Sequence, residues 1–408
     1  MGAVSGTSSP IHIVRVIARL NMGGPAHHVG LLGSRLDPER YETLLLHGEL
    51  GAGEDSLEDC VRARGAAMVQ IPGLRPELRP QDDARALGAL VRAIRRLRPD
   101  IVHTHTAKAG MLGRLAAVMA GEPRPKIVHT YHGHVLEGYF GPLKNATYRE
   151  LERRLATLSD ALIGVSTATV DDLVRLDIAP REKFRVIPIG LDLEPFLNAT
   201  PEDGAAFRAA AGVQPGEVLL TFVGRLVPIK RVDVLLRAFA HARRDGAPVR
   251  LAIVGDGDLR PEHERLANDL GVADHVWFAG YRADMLPIVA ASDIAVLSSD
   301  NEGTPVSLIE AAAAATPAAS VAVGGVPDVV TPDTGVLAAP GDAEGLGRAI
   351  RALVEDSDGR RRMGLLARRH VAERFSASRL IVDVDVLYSE LIEQSQGTLE
   401  RSARVRAT

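Results

Sequence analysis

Two acidic and two basic residues in the second half of the chain stand at spacings that suit charge handling beside a ligand. Glu302 and Glu310 lie eight residues apart in Asp300-Asn-Glu-Gly-Thr-Pro-Val-Ser-Leu-Ile-Glu310. Pro305 suits the first turn of a helix, where its missing N–H and fixed φ cost nothing. That places Glu302 in the loop before the helix and Glu310 about a turn and a half inside it. The free amides of the helix start, from Gly303 through Thr304, Pro305 and Val306, form a segment that can bind anionic or hydroxylated groups. A carboxylate beside them can accept hydrogen bonds from sugar hydroxyls. The plainer reading is a helix start that favours an acidic residue for its dipole alone. Arg225 and Lys230 share the segment Val223-Gly-Arg-Leu-Val-Pro-Ile-Lys-Arg231. Two cations fixed in one loop suit a diphosphate leaving group; the alternative is a surface loop with ordinary basic residues.

Two glycine pairs stand in comparable places: Gly324-Gly325 in Val323-Gly-Gly-Val-Pro-Asp328, and Gly23-Gly24 in Asn21-Met-Gly-Gly-Pro25. Paired glycines permit close backbone approach to a ligand, and a simple turn explains them equally well. Histidines gather in Val102-His-Thr-His-Thr-Ala-Lys-Ala-Gly110 and in His129-Thr-Tyr-His-Gly-His134. Their spacing invites a metal reading, but no carboxylate or cysteine set completes a site, so no metal is expected. Asp256-Gly-Asp258, in a strand-to-helix turn, and Asp383-Val-Asp385, inside the tail helix, read as structural.

These residues need a scaffold that presents loops at strand ends. Short apolar runs alternate with helical patterns along the whole chain. Ile11–Ala18, Thr43–His47, Ala67–Ile71, Ile101–Thr104, Ile127–Tyr131, Ala161–Val165 and Phe184–Ile187 read as strands. A second series begins after residue 200, with Val218–Val223, Arg250–Val254, His275–Phe278, Ile294–Leu297 and Ala318–Val321. Such alternation implies parallel sheets covered by helices on both faces. The fold class is therefore α/β, with two Rossmann-like domains at 10–190 and 200–375 facing across a cleft. A prolyl hinge over Pro188–Pro201 joins them. A tail helix at 376–394 follows, with frayed residues after it. In parallel sheets ligands sit outside the carboxyl ends of the strands, which is where all four motifs fall.

Composition narrows the class. One cysteine, Cys60, excludes an intrachain disulfide and a cysteine-based zinc site. No run approaches the roughly 18 apolar residues of a membrane span, and the first ten residues do not read as a secretory signal, so a cytoplasmic location is expected. The net charge of −4 divides into +4 over residues 1–190 and −8 beyond. That is too weak for a nucleic-acid protein, though it suits an anionic membrane surface or a phosphorylated acceptor. The apolar, aromatic stretch His134–Lys144, followed by Arg149, Arg153 and Arg154, reads either as a docking face for an anionic bilayer or as an amphipathic helix with a solvated basic side.

Together the four motifs resemble those of retaining glycosyltransferases of GT-B architecture, family 4. Gly224-Arg225, Lys230, the E-x7-E pair Glu302/Glu310 and Gly324-Gly325 occur in that family's order and spacing. The resemblance implies that Arg225 and Lys230 neutralise the donor diphosphate and that Glu302 lies by the donor sugar's hydroxyls. It further implies that Glu310 grips the ribose, that Tyr281 and Arg282 stand by the nucleobase, and that Gly23 and Gly24 approach the diphosphate. It gives one N-terminal histidine, among His105, His132 and His134, a place facing the donor sugar. Lys108 stands where a cation can steady an acceptor phosphate, or is a solvated lysine at a helix start. Ala315 departs from the family, which often has glycine two residues before the proline that follows E-x7-E.

The implied reaction moves a hexose or N-acetylhexosamine from a nucleotide sugar to a saccharide or polyprenyl-diphosphate-linked acceptor, without metal or cofactor and with retained anomeric configuration. Family frequency favours UDP. No carboxylate is placed as a nucleophile, so same-face attack is favoured over the two-carboxylate route. The rivals are a nucleotide-sugar epimerase on the same framework and a non-catalytic sensor of nucleotide sugars.

Overall fold

The computed structural model describes residues 9–21, 23–51, 56–133 and 141–406, with side chains given up to residue 394. His134 and most of the aromatic stretch after it lie outside the described residues. The chain forms two compact units, one of residues 1–191 and 377–408 and one of residues 192–376. Among the described residues no helix is long and apolar enough to cross a membrane.

The first unit is built on β1 (Ile11–Ile17), β2 (Tyr41–His47), β3 (Met68–Gln70), β4 (Ile101–His105), β5 (Lys126–Tyr131), β6 (Ala161–Gly164) and β7 (Phe184–Val186). All pair in parallel, in the order β3-β2-β1-β4-β5-β6-β7. The central strands are buried on both faces, which is why they read as near-continuous apolar runs. One face packs Val14, Val16, Val102 and Ile127 against Leu90, Ile94 and Leu112 of the helices Pro80–Leu97 and Ala107–Met119. The other packs Ile13, Ile101, Val128 and Ile163 against Leu380, Val384, Leu387 and Tyr388 of the tail helix. That helix runs from Ala377 to Arg406, well past the expected end at 394. Its Asp385 accepts both Arg40 (2.7 Å) and the Tyr41 hydroxyl (2.6 Å), and its Asp383 pairs with Arg379. The Asp-x-Asp carboxylates of this helix are thus engaged in structural contacts.

The second unit holds β8 (Val218–Val223), β9 (Val249–Val254), β10 (Val276–Gly280), β11 (Ile294–Leu297), β12 (Ala318–Val321) and β13 (Gly335–Ala338), all parallel, in the order β10-β9-β8-β11-β12-β13. Both sheets reverse their winding direction beside the first strand: between β1 and β4 in one unit, and between β8 and β11 in the other. Chains leaving the two sides of such a point turn away from each other, so the carboxyl ends there are open to ligands. The expected hinge is shorter than Pro188–Pro201, because Pro201 starts a helix, Pro201–Ala210. The Thr200 amide donates to Asp203 at 2.9 Å, one arm of a capping box. The strand β13 and the helices Ala343–Glu355 and Ser357–Phe375 add to the elements read from sequence.

Candidate functional site

In the second unit the loops after β8 and β11, on either side of the switch point, are laced together. The Asp300 amide donates to the Ile229 carbonyl at 2.9 Å. The Ser298 hydroxyl donates to the Lys230 and Arg231 carbonyls at 3.0 and 2.9 Å. Arg231, held at a left-handed φ of 48°, reaches Asp300 at 3.0 Å and Asp233 at 3.0 Å. Within this frame the Lys230 ammonium meets Glu302 Oε1 at 2.5 Å, and the Ser299 hydroxyl donates to the same oxygen at 2.6 Å. Glu302 Oε1 is therefore held by two donors. Arg225 is exposed at the end of β8 and has no ion-pair partner among the described residues. An exposed, unpaired guanidinium in the same loop as a fixed ammonium suits an incoming dianion.

Glu302 is also fixed from β12. Gly324 has φ +48°, and a Cβ there would lie 1.8 Å from the Glu302 carbonyl oxygen. The Gly325 amide donates to that same oxygen at 3.0 Å. The glycine pair read as a place for close approach to a ligand instead approaches the backbone of Glu302. Pro305 caps the helix Val306–Ala313 rather than opening it. Glu310 lies inside that helix, partly buried, and desolvation alone pushes its carboxyl up to about 7. Tyr281 and Arg282 follow β10 directly; the Tyr281 ring is 55 % exposed, and the Arg282 guanidinium lies 5.8 Å from the Trp277 ring centre. The Asp256–Asp258 turn is tied down locally, with Asp256 accepting the Gly257 amide at 2.8 Å and pairing with Arg260.

In the first unit, Gly23 caps the helix Gly24–Arg35 in extended conformation, so the expected loop over Asn21–Pro25 ends at Gly23. His105 ends β4 and His132 follows β5, with His105 Nδ1 3.1 Å from His132 Nε2. A residue that sequence reasoning passed over joins them. His28, in the helix, sets its ring centre 5.6 Å from that of His105 and 5.0 Å from that of His132. Burial pushes all three below the ordinary imidazole value, His132 down to about 3. Lys108 is not solvated. It is buried, with its ammonium on Asp83 and the Glu77 carbonyl. Sequence reasoning also missed Ser298, Ser299, Asp300 and Arg231. The signal for them was adjacency: Ser298 and Ser299 follow β11 directly and lead into Asp300, and Arg231 follows Lys230.

The two units match two family models. Residues 22–195 match the model described as Glycosyltransferase Family 4, and residues 204–370 the one described as Glycosyl transferases group 1. The chain is 33 % identical over 294 residues to the D-inositol 3-phosphate glycosyltransferase of Nocardia farcinica, spanning 67 % of this chain and 62 % of that protein. It is 31 % identical over 279 residues to the UDP-Gal:alpha-D-GlcNAc-diphosphoundecaprenol alpha-1,3-galactosyltransferase of Escherichia coli, spanning 68 % and 70 %. Its fold is similar to that of Anabaena HepE, solved in complex with UDP and glucose, with a TM-score of 0.80 and 20 % identity over 93 % of this chain and all of that one.

Proposed function

The chain belongs to glycosyltransferase family 4, with GT-B architecture, and on that premise we propose that it is a retaining, metal-independent transferase of a hexose or N-acetylhexosamine. The donor is a UDP-sugar held by the second unit. The acceptor is a saccharide or a polyprenyl-diphosphate-linked saccharide, taken by the first. The observation that carries this reading is the Lys230–Glu302 pair, with exposed Arg225 in the same loop as Lys230 and half-buried Glu310 in the helix that follows Glu302. The Escherichia coli relative, named for a UDP-galactose donor and a diphosphoundecaprenol-linked acceptor, supports the choice of substrates.

The residues divide the work by charge. Arg225 and Lys230 take up the negative charge that grows on the diphosphate as the sugar leaves. Preorganised charge of this kind is commonly the largest contribution to rate. Glu302 keeps Lys230 in place and turns its second oxygen to the sugar hydroxyls. The pair therefore serves both halves of the donor, and no divalent ion is needed to neutralise the phosphates. Glu310 in its ionised form accepts both ribose hydroxyls. Same-face attack lets the departing phosphate take the acceptor's proton.

The test is nucleotide release with and without acceptor, in chelator, with the product's anomeric configuration read by NMR. Release that requires acceptor, persists in chelator and yields the donor's own configuration is the expected result. Conversion of donor sugar without acceptor would make the protein an epimerase. Tight nucleotide binding with no turnover across acceptors would make it a sensor.

A further inference from the structure

Among the described residues the first unit carries five buried or half-buried histidines near the ends of β4 and β5, and they fall into two groups. His103 is fully engaged, with Nδ1 2.6 Å from the Tyr388 hydroxyl and Nε2 2.7 Å from Thr130 Oγ1. His129 faces the opposite side of the sheet and meets Thr104 Oγ1 at 2.8 Å. These two are structural. His28, His105 and His132 differ. Both nitrogens of His28, Nε2 of His105 and Nδ1 of His132 are buried with no hydrogen-bond partner. Leaving such groups unpaired costs on the order of 1–3 kcal/mol each. A His105–His132 hydrogen bond satisfies the two facing nitrogens and leaves those four unanswered.

We propose that His28, His105 and His132 form a binding site for one divalent d-block cation of the zinc class. Each ring offers one nitrogen, and the three nitrogens lie within 4.8 Å of one another. Two donors on one tetrahedral ion, each with a bond of about 2.0–2.1 Å, stand roughly 3.3 Å apart, close to the 3.1 Å between His105 Nδ1 and His132 Nε2, so an ion there replaces their mutual hydrogen bond and gives one nitrogen of His28 a partner. The rings come from three elements of one unit: a helix, the end of β4 and the turn after β5. The fold therefore sets their separation. An all-imidazole set suits zinc, copper, nickel or cobalt and disfavours magnesium and calcium, which want oxygen.

Charge limits the affinity. Among the described residues no carboxylate joins the trio, while Arg15, buried beside His103 in register, and Arg379 add positive charge nearby. The site should thus hold metal less tightly than a carboxylate-backed one. His28 and His105 are sealed and His132 is half-buried.

The site does not depend on the sugar-transfer reading, and its test needs no turnover. Tag-free, chelator-treated protein is titrated with cobalt(II) and followed by visible absorption, then back-titrated with zinc. The expected result is one equivalent with the intense bands of tetrahedral cobalt, displaced by zinc, with affinity lowered more than about tenfold in His28→Ala and in His132→Gln. Circular dichroism checks that each variant is folded; if His28→Ala is not, the half-buried His132→Gln decides. No tetrahedral spectrum in the wild type, or an unchanged one in His132→Gln, overturns the proposal.

Discussion

Replacing Glu310 by glutamine removes a carboxyl that the fold makes hard to ionise. Burial in the helix Val306–Ala313 raises it from 4.5 to about 7. The native state then holds the proton more tightly than the unfolded chain does. Stability from this group is fully present below pH 4.5 and is lost as the pH rises towards 7. At about 1.36 kcal/mol per pH unit, the full cost is about 3 kcal/mol at pH 8 and under about 1 kcal/mol at pH 5. Glutamine has the same shape and no charge, so Glu310→Gln should exceed the wild type in stability by those amounts. For a unit of this size, 3 kcal/mol moves a melting point by roughly 6–12 °C. Scanning calorimetry of both proteins at pH 5 and pH 8, without nucleotide, reads the difference. An equal gap at both pH values, or a variant less stable at pH 8, would refute the argument that Glu310 is desolvated in the free protein.

The same carboxyl makes donor binding pH-dependent. If the ribose is held by ionised Glu310, UDP affinity falls about tenfold from pH 8 to pH 6 beyond any change seen in Glu310→Gln, measured by calorimetry. Glu302→Gln leaves Lys230 without its counter-charge and should nearly abolish transfer while the melting curve stays within a few degrees; wild-type-like rates would remove Glu302 from the site. Gly324→Ala forces a left-handed alanine, at about 1–2 kcal/mol, and a clash with the Glu302 carbonyl. It should reduce transfer through displacement of Glu302, visible as weakened donor binding. Lys108→Met removes the buried partner of Asp83 and should lower stability by several kcal/mol, whereas a change confined to acceptor KM would return Lys108 to the acceptor site.

Strand positions were legible because parallel strands buried on both sides leave unbroken apolar runs, as in Val218–Val223. The motif residues were legible because each follows such a run. What resisted reading was short, mixed or displaced in space. The strand Gly335–Ala338 has four residues and begins with glycine, too little for a period to show. Pro201 reads as a hinge until the Thr200–Asp203 cap identifies it as a helix start. His28 was missed because its neighbours in sequence belong to a helix, while its neighbours in space, His105 and His132, are about 80 and 100 residues away. The burial of Lys108 was missed for the opposite reason. Its position at a helix start suggests exposure, and only the folded chain brings Asp83 to it. The role of Gly324-Gly325 was half legible: close approach was expected, but the partner is Glu302 itself.

The central claim is that Arg225, Lys230, Glu302 and Glu310 form a nucleotide-sugar site. Thermal stabilisation by a panel of nucleotide diphosphates and nucleotide sugars tests it most directly, since a ligand bound to the native state raises stability by mass action. The account predicts a clear rise with UDP or UDP-sugars that is lost in Arg225→Ala. No rise with any nucleotide at millimolar concentration, or an equal rise in Arg225→Ala, would contradict it.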